Sequence, residues 1–200
     1  MEKIKVLTSY HGKDWEEIGE KVSRTKEIYC GKHDYDFICD KELILDAEFG
    51  YWNKAPLILK HLNDCDWLFW TETDSIIINQ ELPLQAIIYP IQNENIIISQ
   101  DFCSGNFLVK NTPFVKELLS TIVAEYHKKY SFDLKLLMKY RRDRKLHNLF
   151  KFVHPTILNA SINPLDLTYR DGDFLIHLAG MPNQVRFSIL KWLAKVLYEV

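Results

Sequence analysis

The chain has 200 residues, enough for one ordinary domain with a sizeable core, and its 47% hydrophobic and 13% aromatic content argues against disorder. A formal net charge of −2 excludes the basic field that a nucleic-acid binder usually carries, while a phosphate-bearing small substrate needs only local positive charge. Cys30, Cys39, Cys65 and Cys103 include no Cys-x-x-Cys pair and predict reduced thiols rather than a disulfide frame. The opening MEKIKVLTSYHG has no apolar h-region and no membrane-length apolar run follows, which points to the cytoplasm or an extracted catalytic domain.

In chain order, 4–9 (IKVLTS) reads as a first strand and 14–29 as a helix with Trp15, Ile18, Val22 and Ile28 near helical spacing. A second strand is expected at 35–39. Pro56 then sits in the first turn of a helix that continues through Leu57 to Leu62. Residues 66–71 (DWLFWT) suit a buried strand, and 95–99 and 105–110 read as two more, with a Ser104-Gly105 turn between them. Thr112-Pro113 caps a helix to about 129. A second helix is expected over 132–147, ending in the basic run 141–145, which reads as a solvated helix end with an anionic acceptor or membrane surface as the alternative. A strand near 174–178 and a helix over 187–198 close the chain.

Residues 40–50 and 81–94 give no assignment. Neither a repeat nor a low-complexity linker interrupts the pattern, so all 200 residues read as a single catalytic domain. The alternation predicts an α/β fold with a central, mainly parallel sheet flanked by helices. Ligands of such sheets sit beyond the carboxyl ends of strands, which directs attention to Ser9-Tyr10-His11-Gly12, to Glu72-Thr73-Asp74 and to the segment after FLIHLAG.

Glu72 and Asp74 stand one residue apart between two apolar runs. Two carboxylates so placed repel unless a cation sits near them, and a hard divalent ion held by oxygen ligands keeps positions open for phosphates. An isolated Glu-x-Asp is also a common solvated turn.

The wider sequence sharpens this reading. Trp52-Asn53-Lys54 opens a helix, and a tryptophan-rich strand runs into Glu72-Thr73-Asp74. Tyr29-Cys30 with His33 and Tyr35 lies upstream; Gly105-Asn106-Phe107-Leu108-Val109-Lys110-Asn111 and then 172–180 (GDFLIHLAG) follow. In this order the segments resemble the family of α-galactosyl-, α-mannosyl- and xyloglucan xylosyltransferases with the GT-A (Rossmann-like) fold. Two departures stand out. The first position of the DxD motif is Glu72, and 131–137 has Asp133-Leu134 where the family has an acid followed by glutamine.

The resemblance implies a divalent-metal-dependent glycosyltransferase, moving a hexose or pentose from a UDP- or GDP-linked donor to a hydroxyl of a glycan or glycoconjugate. It implies Asp74 as a direct ligand of Mn²⁺ or Mg²⁺, Glu72 near the metal or ribose, and His177 as the distant third ligand. A core histidine bonded to backbone is the alternative for His177.

Thr8 and Tyr10 end the first strand, where GT-A enzymes hold nucleobase and ribose, although Tyr10 is equally able to pack on the sheet. Lys54 is a candidate for the phosphates or donor sugar, and Gly180 a further donor-site residue. Asp101 and Asn106 are candidates for the sugar hydroxyls, with turn capping as the alternative. The family retains anomeric configuration, so the leaving phosphate can take the acceptor proton. An inverting route would need a carboxylate base, for which Asp101 and Asp173 are the candidates.

Helix 187–198 places Phe187, Leu190, Trp192, Leu193, Val196 and Leu197 mostly on one side, which suits an interfacial membrane helix or a helix docked on the core or on a following domain. Two other functions fit less of the chain. A nucleotidyltransferase should carry a glycine-rich loop after the first strand, where only Gly12 is present. A non-catalytic sugar-nucleotide-binding domain is favoured by Glu72 alone.

Overall fold

The computed structural model describes residues 2–45, 50–91, 93–101, 103–125 and 147–200. Strands sandwiched between helices have no solvated face, so they are apolar on both sides. That is the pattern of β1 (Ile4–Thr8) and β3 (Trp67–Thr71), whose residues are all buried. With β2 (Asp36–Cys39), β5 (Ile96–Ser99), β6 (Asn106–Lys110) and β7 (Phe150–Val153) they form one six-stranded sheet in the order β2-β1-β3-β6-β5-β7. β1 pairs in parallel with β2 and β3, and β5 with β7; β6 alone runs against its neighbours β3 and β5. The sheet is therefore mainly parallel, as the sequence pattern predicts.

A second, two-stranded antiparallel sheet joins β4 (Ser75–Ile77) to β8 (Leu175–His177), with Ser75 opposite His177. This pairing brings the end of the chain back over the acidic turn.

Helix α1 (Lys13–His33) buries Ile18, Val22, Tyr29 and Cys30, while α2 (Lys54–His61) and α4 (Pro113–Glu125) cover the other face through Leu57, Ile58, Val115, Leu118 and Ile122. Thr112 Oγ1 accepts from Val115 N at 3.4 Å, so the expected cap and first-turn proline both stand. The short elements α3 (Leu84–Ile88), α5 (Pro155–Leu158), β4 and β7 complete the described fold. The expected helix 132–147, its basic run and the departure at 131–137 lie outside the described residues.

The last helix, α6 (Asn183–Tyr198), begins four residues earlier than predicted and docks on the core. It buries Leu190, Leu193, Ala194 and Tyr198 against Ile18, Val22 and Ile76, and Tyr198 Oη donates to Ile77 O at 2.7 Å. Trp192 and Val196 do not share that side, contrary to the sequence reading: they are 61% and 57% exposed. At about 100° per residue Trp192 lies roughly 200° round from Leu190, so the two face opposite ways. No described helix is long and apolar enough to cross a membrane.

All four cysteines are unpaired. Burial pushes the Cys65 thiol up to about 11 and raises that of Cys30 further. We expect both to resist alkylation at pH 8 in the native protein and to react once urea unfolds it, which peptide-resolved mass spectrometry would read. Rapid native labelling of Cys30 would contradict the packing of α1.

Candidate active site

The acidic turn sits where β3 leaves the sheet and hands the chain to β4. Its backbone is pinned from below. Glu72 N donates to Gly105 O at 2.9 Å, and the fully buried Lys26 of α1 donates to Glu72 O at 2.7 Å and to Thr8 Oγ1 at 3.1 Å. Burial lowers the Lys26 ammonium to about 7, opposed by the nearby Asp74 carboxylate. Replacing this lysine takes away one of the two donors of the Glu72 carbonyl, which keeps Ser75 N at 3.0 Å, and a hydrogen bond to a charged group is worth about 1.5–3 kcal/mol. Lys26→Met should thus lower the urea midpoint; an unchanged midpoint would show that the lysine is not holding the turn.

Above that support, three side chains converge. Glu72, Asp74 and His177 place a ligand atom each within 4.8 Å of one another. His177 Nε2 lies 3.2 Å from Asp74 Oδ1 and 3.6 Å from Glu72 Oε2, and it is buried without a hydrogen bond. Two ligands at right angles on one cation, with bonds of about 2.1–2.3 Å, stand about 3 Å apart, so these separations fit a shared divalent ion. The donor set of two carboxylates and one imidazole suits Mn²⁺ or Mg²⁺. Gly105 makes the ring's place: a Cβ there would lie 2.3 Å from His177 Cε1.

Each carboxylate also meets a cationic side chain. Lys54 Nζ is 2.7 Å from Glu72 Oε1 and donates to Ser104 O at 2.7 Å. Arg186 Nη1 donates to Asp74 Oδ2 at 2.6 Å, while its Nη2 donates to Asn183 Oδ1 at 2.9 Å. Burial would raise both carboxyls, but Lys54 beside Glu72, and His177 with Arg186 beside Asp74, hold them below the ordinary range. Burial would likewise lower His177; the Asp74 carboxylate overrides it and holds the imidazole above its usual range.

A cleft of about 310 Å³ opens over this cluster, lined by Ser9, Tyr10 and His11 from the end of β1, by Trp15 and Trp70, by the acidic turn and by Arg186. Arg186 stacks its guanidinium 5.3 Å from the Trp15 ring centre, and its Nε is buried without a partner.

The sequence candidates fall into three groups. Glu72, Asp74, His177 and Lys54 come together. Tyr10 lines the cleft, with its ring seated against Gly19 and the Lys41 ammonium 4.9 Å from its centre.

The others stand off. Thr8 is fully buried and donates to Thr71 O at 2.7 Å, so its hydroxyl faces the sheet rather than the cleft. Asn106 is fully buried and donates to Ser75 Oγ at 2.9 Å. Asp101 accepts from Cys103 N at 3.2 Å and from Asn159, beside the imidazole rather than in the cleft. Asp173 accepts from Arg170 N at 2.8 Å in the turn before β8, four residues and about 13 Å of extended chain from His177. Gly180, at φ +74°, shapes the turn between β8 and α6 and does not line the cleft.

Arg186 escaped the sequence reading. It lies on α6, four residues after Pro182, and only the docking of that helix places it at the turn. Asn159 escaped for the same reason: its signal in sequence is an Asn-x-Ser triplet of no evident chemistry.

The model of the galactosyl transferase GMA12/MNN10 family matches residues 2–93. No curated protein matches the chain in sequence. Solved structures do match in shape. A glycosyltransferase involved in glycosylation of the major capsid of PBCV-1 superimposes with a TM-score of 0.75 at 16% identity, over 95% of this chain and 99% of that one. The galactosyltransferase LgtC, bound to donor and acceptor sugar analogues, gives 0.58 at 11% identity, over 98% and 97%. A Drosophila galactosyltransferase 7 variant in complex with manganese, UDP-Gal and xylobiose gives 0.50 at 11% identity, over 92% and 73%. The chain thus has the fold of the GT-A glycosyltransferases and carries, over residues 2–93, the sequence pattern of the galactosyl transferase GMA12/MNN10 family.

Proposed function

We propose that this protein is a divalent-metal-dependent glycosyltransferase that moves a sugar from a nucleoside-diphosphate donor to a hydroxyl of a glycan acceptor. The observation that carries the reading is the convergence of Asp74, Glu72 and His177, with the two carboxylates lining a cleft beyond the strand ends. A bound Mn²⁺ or Mg²⁺ would supply Lewis-acid stabilisation of the charge that develops on the departing diphosphate.

The chain's own residues set up the rest. Asp74 and His177 present the two best-buried ligand atoms, and Glu72, through its longer side chain, still reaches the same point. Arg186 lines the cleft with its guanidinium held by Asp74 and Asn183, which sets a positive charge where an anionic diphosphate would lie. Lys54 holds Glu72 in place from the opposite side. The end of β1, with Ser9 to His11 and Trp15, offers polar and aromatic surface for ribose and base.

Among the described residues neither Asp101 nor Asp173 lines the cleft: Asp101 accepts from Asn159 and Asp173 from Arg170 N. The absence of a glycine-rich loop after β1 speaks against a nucleotidyltransferase.

Thermal melts in Mn²⁺ and in EDTA test the binding half of the proposal. UDP or GDP should raise the melting temperature only with the cation present, and Asp74→Ala should remove that increment. An increment of equal size in EDTA would refute the metal-bridged diphosphate.

A further inference from the structure

Behind His177, on the side away from the acidic turn, lies a second polar chain. Asn159 Nδ2 donates to Asp101 Oδ2, and His177 Nδ1 lies 2.5 Å from Asn159 Oδ1. The Cys103 sulfur is 3.3 Å from the same ring nitrogen. Asn159 and His177 are buried, at 9% and 3% exposure.

The chemistry of these groups fixes where protons sit. An ionised carboxylate only accepts, so Asp101 takes the amide's N–H side and turns Asn159 Oδ1 towards the ring. An amide oxygen also only accepts, so His177 Nδ1 must carry a proton. The opposite pull exists on the other side of the ring, where Asp74 and Glu72 both attract a proton to Nε2. Left to those carboxylates, a neutral His177 would hold its proton on Nε2, the nitrogen that a cation needs bare.

We propose that Asp101 and Asn159 are positioning residues that hold His177 in its Nδ1–H form, so that Nε2 is presented as a ligand atom. The device is a carboxylate–amide–imidazole relay, with Cys103 as a lateral contact. It rests on the metal-site reading above only for its purpose; the tautomer itself belongs to the metal-free protein once its imidazolium has lost one proton. Outer partners of this kind typically set about 10- to 100-fold in metal affinity.

The relay gives Asp101 a role that sugar binding does not. It also predicts which exchange of residues is tolerated. Swapping the two groups in D101N/N159D places the carboxylate on Nδ1–H and the amide outside, so the ring still finds an acceptor and the pair still finds a donor.

The experiment uses histidine-¹⁵N-labelled full chain, metal-free and taken to a pH at which the ring is neutral, with long-range ¹⁵N–¹H spectra to read the single ring proton, and Mn²⁺ titration by calorimetry alongside. Circular dichroism checks that each variant is folded. Wild type should show a protonated Nδ1. Asn159→Ala should lose that proton and bind Mn²⁺ about 10- to 100-fold more weakly, and D101N/N159D should recover both within about threefold. Asp101→Ala, with the amide free to turn, should fall between.

Retention of the Nδ1 proton in Asn159→Ala would overturn the relay, as would a folded double exchange that recovers neither property. If wild type shows the Nδ1 proton but binds no Mn²⁺, the relay stands and the metal-site reading falls.

Discussion

Asp74→Asn should cut Mn²⁺-dependent turnover of the donor by about 10²- to 10³-fold, the loss expected when a group that stabilises transition-state charge is removed. The substitution keeps the volume and removes the charge. Asp74 has two partners, His177 through Oδ1 and Arg186 through Oδ2, and of the three proposed ligands it is the most buried after His177. An amide cannot balance both cations, and it is a poor ligand for a hard ion. Steady-state donor hydrolysis at saturating Mn²⁺ checks the prediction. Loss of less than about tenfold would move the ligand role from Asp74 to Glu72.

Gly105→Ala should be the second most damaging change, although it adds one methyl group and leaves every polar atom in place. The new Cβ would stand 2.3 Å from His177 Cε1 and 2.8 Å from Nε2, a separation that no packed structure keeps. Gly105 O also receives the Glu72 amide, so the backbone is unable to retreat without pulling the acidic turn. The ring must leave. Overpacking of this kind costs about 1–3 kcal/mol, and the displaced imidazole should weaken Mn²⁺ binding about 10- to 100-fold. Urea unfolding and calorimetric titration measure the two parts, and wild-type affinity in the variant would show that His177 is not a ligand.

Proton linkage gives a further expectation. His177 is held above its usual range, so the stability it lends is complete below its unfolded value of about 6.5 and is lost as pH rises through the folded value. Asp74 is held below its usual range, so its stability is present above about 3.9 and is lost as pH falls through the folded value. Metal binding releases the imidazole proton, so the apparent Mn²⁺ affinity should climb from pH 6 to pH 8. His177→Gln should flatten that climb. An affinity independent of pH would mean that the imidazole does not compete with the ion.

The local parts of the molecule were legible in the sequence and the distant ones were not. Apolar runs such as WLFWT and IIIS declare buried strands on any reading, and Thr112-Pro113 announces its helix through capping chemistry. β4, of three residues, carries too few positions for a period to emerge, and it is ordered by pairing with β8 about 100 residues later.

The same divide runs through the site. Asp74 and His177, which the motifs single out, lie beside each other in the structure. Thr8 and Asn106, read from sequence as facing the donor, are buried and bonded within the fold, because strand alternation decides which face a side chain takes and a shift of one residue reverses it. Arg186 and Asn159 depend on how α6 and the segment after α5 pack, which no local pattern records. Trp192 shows the converse. Its helix was found, but the buried stripe was drawn too wide.

The central claim is most directly tested by incubating the protein with a panel of UDP- and GDP-sugars and following release of the nucleoside diphosphate, with Mn²⁺ and with EDTA. At least one donor should be hydrolysed in Mn²⁺, with the rate abolished by EDTA and reduced about 10²- to 10³-fold in Asp74→Asn. Hydrolysis that proceeds equally in EDTA, or no hydrolysis of any donor with the metal site demonstrably filled, would contradict it.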